Sequence, residues 1–149
     1  MRLLLRGILA GLAGTAVMTL HQRLRQGPSD GGEPSWDEAP APAQVARKAL
    51  GPIGVSPSAE WIPLLTNAMH WGYGTTWGAA YALLAREAEE EPWAGPAFGL
   101  LVWAMSYVQL VPLGIYEPPW TYEPLELADD VGYHLTYGTA TALAHRLLP

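Results

Sequence analysis

Long uncharged stretches dominate the pattern of hydrophobic and polar positions along the chain. Residues 61–85 contain no Asp, Glu, Lys or Arg over 25 positions, and residues 93–116 contain none over 24. A helix needs about 20 mainly apolar residues to cross a bilayer, so both stretches are long enough. The pattern therefore predicts two membrane-spanning helices in the middle of the chain.

Two further apolar stretches lie near the ends of the chain. Residues 7–22 and 131–145 are uncharged over 16 and 15 positions. They become long enough as spans 3–24 and 126–148 if the flanking arginines extend their charged groups to the membrane surface. We therefore predict an all-α fold, an integral membrane four-helix bundle that forms a single transmembrane domain over residues 1–149.

The first span has a second interpretation. A positively charged start, an apolar run and the small residues 14–16 together resemble a secretory signal with a cleavage site. However, Arg6 interrupts the run, and Gly7, Gly11 and Gly14 recur at spacings that place them on one helical face. A face of small residues suits a retained packing helix better than a cleaved peptide.

A polar segment separates the first two spans. Residues 26–44 contain four prolines together with several glycines and acidic residues, which predicts a flexible loop. The following residues, 42–50, place Val45 and its apolar neighbours opposite Arg47 and Lys48. This arrangement predicts a short helix that lies at the membrane interface.

One motif occurs twice. The pattern H-x-x-Y-G-T covers residues 70–75 and again residues 134–139, an offset of 64 positions. Four spans place the two copies on helices that run in the same direction. We therefore expect two related helical hairpins that form a parallel repeat, with an axis along the membrane normal.

The second copy of the motif is preceded by acidic residues. Glu126, Asp130 and His134 are spaced by four, so they lie along one face of a helix. An acid one turn before a histidine can accept its ring N–H and fix its tautomer. Ionisable groups inside membrane helices are costly and usually functional. We therefore predict an intramembrane polar site, which comprises Asp130, His134, His70, Tyr137, Tyr73 and Glu126.

The predicted site is compatible with several functions. The first is handling of protons or ions by Asp130 and His134. The second is a structural role, in which the histidines hydrogen-bond neighbouring helices in an accessory subunit that carries out no chemistry. The third is ligation of haem b or a metal ion by His70 and His134, although one histidine per helix is a weak metal motif.

Small residues form stripes on all four predicted spans. Gly74 and Gly78 make a G-x-x-x-G pair, which allows a neighbouring helix backbone to approach closely. Comparable rows occur on the other spans. The residues predicted to pack helices are Gly7, Gly11, Gly14, Gly74, Gly78, Gly95, Gly99 and Gly138.

Composition narrows the choice of partners. Apolar residues make up 50% of the chain and charged residues 15%, against about 25% charged in soluble domains. The net charge of -6 argues against a nucleic-acid partner, because no basic patch would neutralise phosphates. The expected partners are the lipid bilayer and either another membrane protein or a second copy of this chain. With no cysteine and no nucleotide-binding or hydrolase motif in the sequence, an enzyme is disfavoured.

Several short motifs resemble a known family. They are A-G-T-A-V-M-T at residues 13–19, V-A-R-K-A-L-G at 45–51, H-x-x-Y-G at 70–74, P-P-W at 118–120 and D-x-x-x-H-x-x-Y-G at 130–138. Together they resemble the small bacterial inner-membrane proteins typified by YagU. The resemblance implies a four-span protein of the bacterial cytoplasmic membrane and a link with tolerance of acidic conditions. We expect both termini on the cytoplasmic side, because short N-terminal tails usually remain there.

Overall fold

A computed structural model describes residues 2–26, 35–85, 88 and 90–148 of the chain. These residues form five helices and no strand, which confirms the predicted all-α class. Of the predicted flexible loop, residues 27–34 lie outside the described residues. The helices are α1 (Arg2–Gln26), α2 (Ala41–Leu50), α3 (Ile62–Leu84), α4 (Ala94–Leu110) and α5 (Pro124–Leu147), with 3₁₀ turns at Gly51–Ile53, Ala59–Trp61 and Pro119–Thr121.

Proline and glycine determine where several helices begin and end. Pro63 and Pro124 lie in the first turns of α3 and α5, where the missing N–H is not needed. The predicted third span continued to residue 116, but α4 ends at Leu110. Pro112 cannot donate a helical hydrogen bond, and Gly114 adopts a φ of 62°, so the uncharged run turns there instead of continuing as helix.

Helix α1 lies between α3 and α5, and α5 in turn packs against α4. The helices of each neighbouring pair are antiparallel. Near its start, α1 reaches the end of α5 through Arg6 and His145, and near its end it reaches the start of α5 through Arg25 and Asp129. Since α3 is also antiparallel to α1, helices α3 and α5 run parallel, as expected for the two motif-bearing helices.

The same glycine-mediated crossing occurs twice. Gly11 of α1 lies against Gly74 and Gly78 of α3, and Gly99 of α4 lies against Gly138 of α5. At both crossings a Cβ atom would meet backbone atoms of the opposite helix, so the two backbones are in direct contact. The eight glycines predicted to pack helices are all buried at these crossings or where α1 meets α5.

Helices α3 and α4, by contrast, meet through side chains. The Phe98 ring of α4 packs edge-on against Trp77 and Tyr81 of α3, at centroid distances of 6.0 and 4.9 Å. Tyr137 of α5 completes this aromatic layer. Because large rings hold these two helices apart, the bundle has room for a cavity beyond the layer.

Helix α2 packs against α3. Ala43 and Ala46 face inward, and Ala43 joins Ala39 and Ile62 in a small cluster beside Trp36. Ala49 is exposed together with the cations Arg47 and Lys48. The buried face of α2 is therefore set by contact with α3.

Polarity is distributed in an unusual way across the bundle. Many large apolar side chains on α1, α3, α4 and α5 are exposed, while Thr15, Ser106, His134, Thr141 and His145 are buried. By length and composition, α1 is the one helix among the described residues that qualifies to cross a membrane, and α4 is apolar but shorter. A secretory signal or the buried core helix of a soluble protein meets the same criterion.

Candidate functional site

A cavity of about 350 Å³ lies among α1, α3, α4 and α5. His70 of the first motif copy and His134 of the second both line it, although they are 64 residues apart. Asp130, Tyr73 and Tyr137 also contribute to its wall. Five of the six residues predicted to form the polar site therefore surround one space.

Glu126 is the sixth predicted residue, and it lies elsewhere. Its side chain is exposed near the start of α5 and does not line the cavity. One further turn along the helix brings Asp130 inward. Spacing by four places Glu126 and Asp130 on the same face of α5. The neighbouring helices surround α5 at Asp130 but not at Glu126, so the two acids differ in their surroundings.

Asp130 is held by donors from α4. The indole Nε1 of Trp103 donates to Oδ2 of Asp130 at 2.9 Å, and the hydroxyl of Tyr107 donates to the same oxygen at 3.0 Å. Hydrogen bonds donated to a carboxylate favour its charged form. The side chain retains 25% exposure, so the carboxylate is supported on one side and open on the other.

His134 is oriented by the backbone of its own helix. Its Nδ1 lies 2.9 Å from the carbonyl oxygen of Asp130 and 3.4 Å from the carboxylate Oδ1. A carbonyl oxygen can only accept, so Nδ1 carries the hydrogen and Nε2 is the acceptor of the neutral ring. The Asp130 carboxylate, predicted to accept this ring N–H, lies within ion-pair distance of Nδ1, while the main-chain oxygen makes the shorter contact.

His70 is oriented by α1. Its Nε2 lies 3.1 Å from the hydroxyl oxygen of Thr19, whose own hydrogen is donated to the carbonyl of Thr15 at 2.7 Å. The Thr19 hydroxyl must therefore accept from His70, which places the ring hydrogen on Nε2 and leaves Nδ1 as the acceptor. The two motif histidines thus carry their hydrogens on different ring nitrogens.

The tyrosines of the two motif copies also differ. Tyr137 donates to the backbone carbonyl of Gly74 at 2.6 Å, whereas the Tyr73 hydroxyl accepts from the amide of Gln109 at 3.2 Å. A further tyrosine, Tyr116, lines the cavity from the segment that follows α4. Burial, and secondarily the negative charge of Asp130, raise the pKa of Tyr116 well above its usual range, so this residue is a neutral hydroxyl at ordinary pH.

Helix α2 forms part of the cavity wall. Ala41, Pro42 and Val45 line the cavity from this helix, and all three are half-buried. The segment predicted to lie flat at a membrane interface therefore also covers one side of the polar site.

The charges around the cavity are unbalanced. Asp130 is the one carboxylate among the described residues that line it, and no lysine or arginine lines it. Arg25 instead pairs with Asp129 at 2.6 Å, and Arg47 stacks over the ring of Trp36 at 4.8 Å. A positive charge could be supplied only by protonation of His70 or His134, or by a bound molecule.

The polar groups do not converge on a single point. In the part of the chain that the structure describes, no group of three or more His, Cys, Asp or Glu side chains is arranged to hold a metal ion. His70 and His134 instead occupy separate positions on the wall, each with its own hydrogen-bond partner.

Several contributors could not be identified from the sequence. Thr19, Trp103 and Tyr107 bind the predicted site residues from helices α1 and α4. They share no motif with those residues, and hydrophobic periodicity does not indicate which helices are neighbours. Nothing in the sequence around Trp103 indicates Asp130 as its partner.

No family model, no curated protein and no solved structure matches the chain.

Proposed function

We propose that this chain is an integral membrane protein whose central cavity handles protons through Asp130 and His134. The observation that carries the proposal is the convergence of His70, His134 and Asp130 on one cavity. The remaining support comes from the polarity of the bundle and from the chemistry of the Asp130–His134 pair.

The outer surface of the bundle supports a lipid environment. Leu20 is 57% exposed, Leu64 58% and Leu143 56%, and similar side chains cover the outer faces of the four long helices. Single exposed leucines are common on soluble proteins, but many exposed large apolar side chains on all four long helices, together with buried polar groups, suit lipid better than water. The helix crossings through glycine are also typical of membrane bundles, where small residues allow close packing.

Helices α3 and α5 depart from a uniformly apolar span because polar groups lie on their inner faces. On α3 His70 lines the cavity, and on α5 Asp130 and His134 line it. In lipid, such groups are tolerated where they face protein or water rather than acyl chains. We propose that all four long helices cross the membrane, with the cytoplasmic membrane of a bacterium as their location, in agreement with the resemblance to the YagU-like proteins.

The chemistry of proton handling follows from the two tautomers. His134 accepts a proton at Nε2, because its Nδ1 hydrogen is already held by the Asp130 carbonyl. Oδ1 of Asp130 lies 3.4 Å from Nδ1, so the cavity holds a carboxylate beside this ring. His70, with its acceptor at Nδ1, provides a second group that lines the same cavity.

Proton flux in reconstituted liposomes tests the proposal. An imposed pH gradient is expected to drive flux through the parent protein, and Asp130→Asn is expected to reduce it to the level of protein-free liposomes. Glu126→Gln is the matched control, since it removes an exposed carboxylate from the same helix without altering the cavity. Equal flux through the parent protein and Asp130→Asn would refute proton handling and favour a structural or accessory role.

A further inference from the structure

The cavity carries a negative charge without a fixed counter-charge. Trp103 and Tyr107 both donate to Oδ2 of Asp130, and both are neutral, so they support the carboxylate without cancelling its charge. Oδ1 has His134 Nδ1 as its nearest basic neighbour, at a distance longer than a good hydrogen bond. Oδ1 therefore keeps acceptor capacity for a cation that enters the cavity.

The groups that face Asp130 come from every surrounding element. They include His134 on α5, Tyr107 on α4, Tyr116 in the following segment, and His70 and Tyr73 on α3. Helices α1 and α2 contribute neutral side chains to the cavity. Nothing in this set provides a permanent positive charge.

Apart from the neutral polar side chains of Thr15, Gln22, Ser106 and Gln109, the remaining wall is apolar and aromatic. Met18 of α1, Met69 of α3 and Val102 and Leu110 of α4 supply aliphatic and thioether surface. The rings of Tyr73, Tyr116 and Tyr137 also line the space, and tyrosine rings attract cations through their π-faces. A strongly hydrated inorganic cation would find one carboxylate and otherwise only neutral oxygens here, whereas a cation with apolar substituents would contact most of the wall.

The volume of the cavity limits the class of ligand further. A volume of about 350 Å³ is near the lower end of the 300–1,000 Å³ range of small-molecule pockets. The site therefore suits a compact ligand with one charged group.

We infer that the cavity binds a small lipophilic ammonium cation, with Asp130 as its counter-charge and the surrounding tyrosine and aliphatic side chains against its apolar part. The inference rests on the same cavity as the proposed function and names the class of molecule that would share it with protons. Binding of the ammonium group at Oδ1 forms no covalent bond and displaces only solvent.

Two probes of nearly equal shape test the charge requirement. Adamantylammonium is a compact apolar cage with a positive charge, and adamantanol is its neutral counterpart. Isothermal titration calorimetry of the detergent-solubilised parent protein is expected to detect the ammonium probe and to show at least about 30-fold weaker binding of the alcohol. Equal affinities, or no binding of either probe, would overturn the inference.

Two variants then locate the site. Asp130→Asn is expected to lower the affinity for adamantylammonium by at least about 30-fold, whereas Glu126→Gln leaves it unchanged. Val45→Trp places a bulky ring on the cavity wall from half-buried α2 and is expected to weaken binding while every charge remains. Full affinity in both Asp130→Asn and Val45→Trp would show that the probe binds elsewhere. If Asp130→Asn does not fold, the comparison of the two probes and Val45→Trp still decide the question.

Failure of this inference is distinguishable from failure of the proposed function. A protein with Asp130-dependent proton flux that binds neither probe would refute the cation site alone. A protein that binds adamantylammonium through Asp130, with flux that is unchanged by Asp130→Asn, would refute proton handling alone.

Discussion

Tyr137 of α5 donates a hydrogen bond to the backbone carbonyl of Gly74 on α3 at 2.6 Å, so the second copy of the repeated motif is tied directly to the first. The bond is buried and lies at the boundary between the aromatic layer and the cavity. Its counterpart in the first copy, Tyr73, makes a longer and exposed contact with Gln109. The repeat is therefore symmetric in its backbone crossings and asymmetric in its polar contacts.

We expect Tyr137→Phe to destabilise the protein by about 1 kcal/mol, because it leaves the buried Gly74 carbonyl without this donor. Tyr73→Phe removes an exposed hydroxyl and is expected to cost less. The free energy of unfolding of both variants can be measured by SDS titration in mixed micelles. A larger loss of unfolding free energy for Tyr73→Phe than for Tyr137→Phe would contradict the asymmetry between the two tyrosines.

Gly11→Ala is expected to destabilise the protein by about 1–3 kcal/mol. Its Cβ would lie 2.6 Å from the carbonyl oxygen of Gly74 and 2.8 Å from Cα of Gly78, and backbone atoms cannot rotate away as a flexible side chain can. Gly72→Ala on α3 is the matched control, because nothing lies within 4 Å of its Cβ position. That variant should be unchanged or more stable by up to about 1 kcal/mol, since alanine favours helix. The same unfolding titration separates the two, and equal effects would argue against close contact of α1 with α3.

Tyr116→Phe is expected to alter how stability depends on alkaline pH. The pKa of Tyr116 is raised in the folded protein, chiefly by burial, so the unfolded chain releases this proton first as the pH rises. The contribution of Tyr116 is fully present below the unfolded pKa of about 10 and is lost as the pH rises above it. The melting temperature, measured from about pH 8 to about pH 11, should therefore fall less steeply with pH for Tyr116→Phe than for the parent protein. Parallel curves would show that this hydroxyl is not shielded when the protein is folded.

The sequence predicts the helices well but not their partners. Uncharged runs and proline positions predict α1, α3 and α5 to within about two residues, because both features act locally along the chain. The end of α4 was missed because absence of charge does not distinguish a helix from the turn made by Pro112 and Gly114.

The candidate site was predicted in part, because local features of the chain indicate some of its residues and not the others. Helical spacing brings Asp130 and His134 together, and the repeat indicates His70 as an equivalent position. Which residues complete the site depends on how helices pack, and the partners Thr19 and Tyr107 come from helices without a matching motif. Periodicity defines one face of a helix, but it does not indicate which neighbouring helix packs against that face.

The central claim, a water-accessible cavity inside a lipid-facing bundle, can be tested most directly by cysteine accessibility, because the chain contains no native cysteine. Ser106 lines the cavity and is 6% exposed, whereas Leu101 lies near the middle of α4 on its outer surface and is 42% exposed. In proteoliposomes, we predict that a membrane-impermeant methanethiosulfonate reagent, present on both sides of the bilayer, modifies Ser106→Cys and leaves Leu101→Cys unreacted. Rapid modification of Leu101→Cys with protection of Ser106→Cys would contradict the account, since that is the order expected of a bundle surrounded by water.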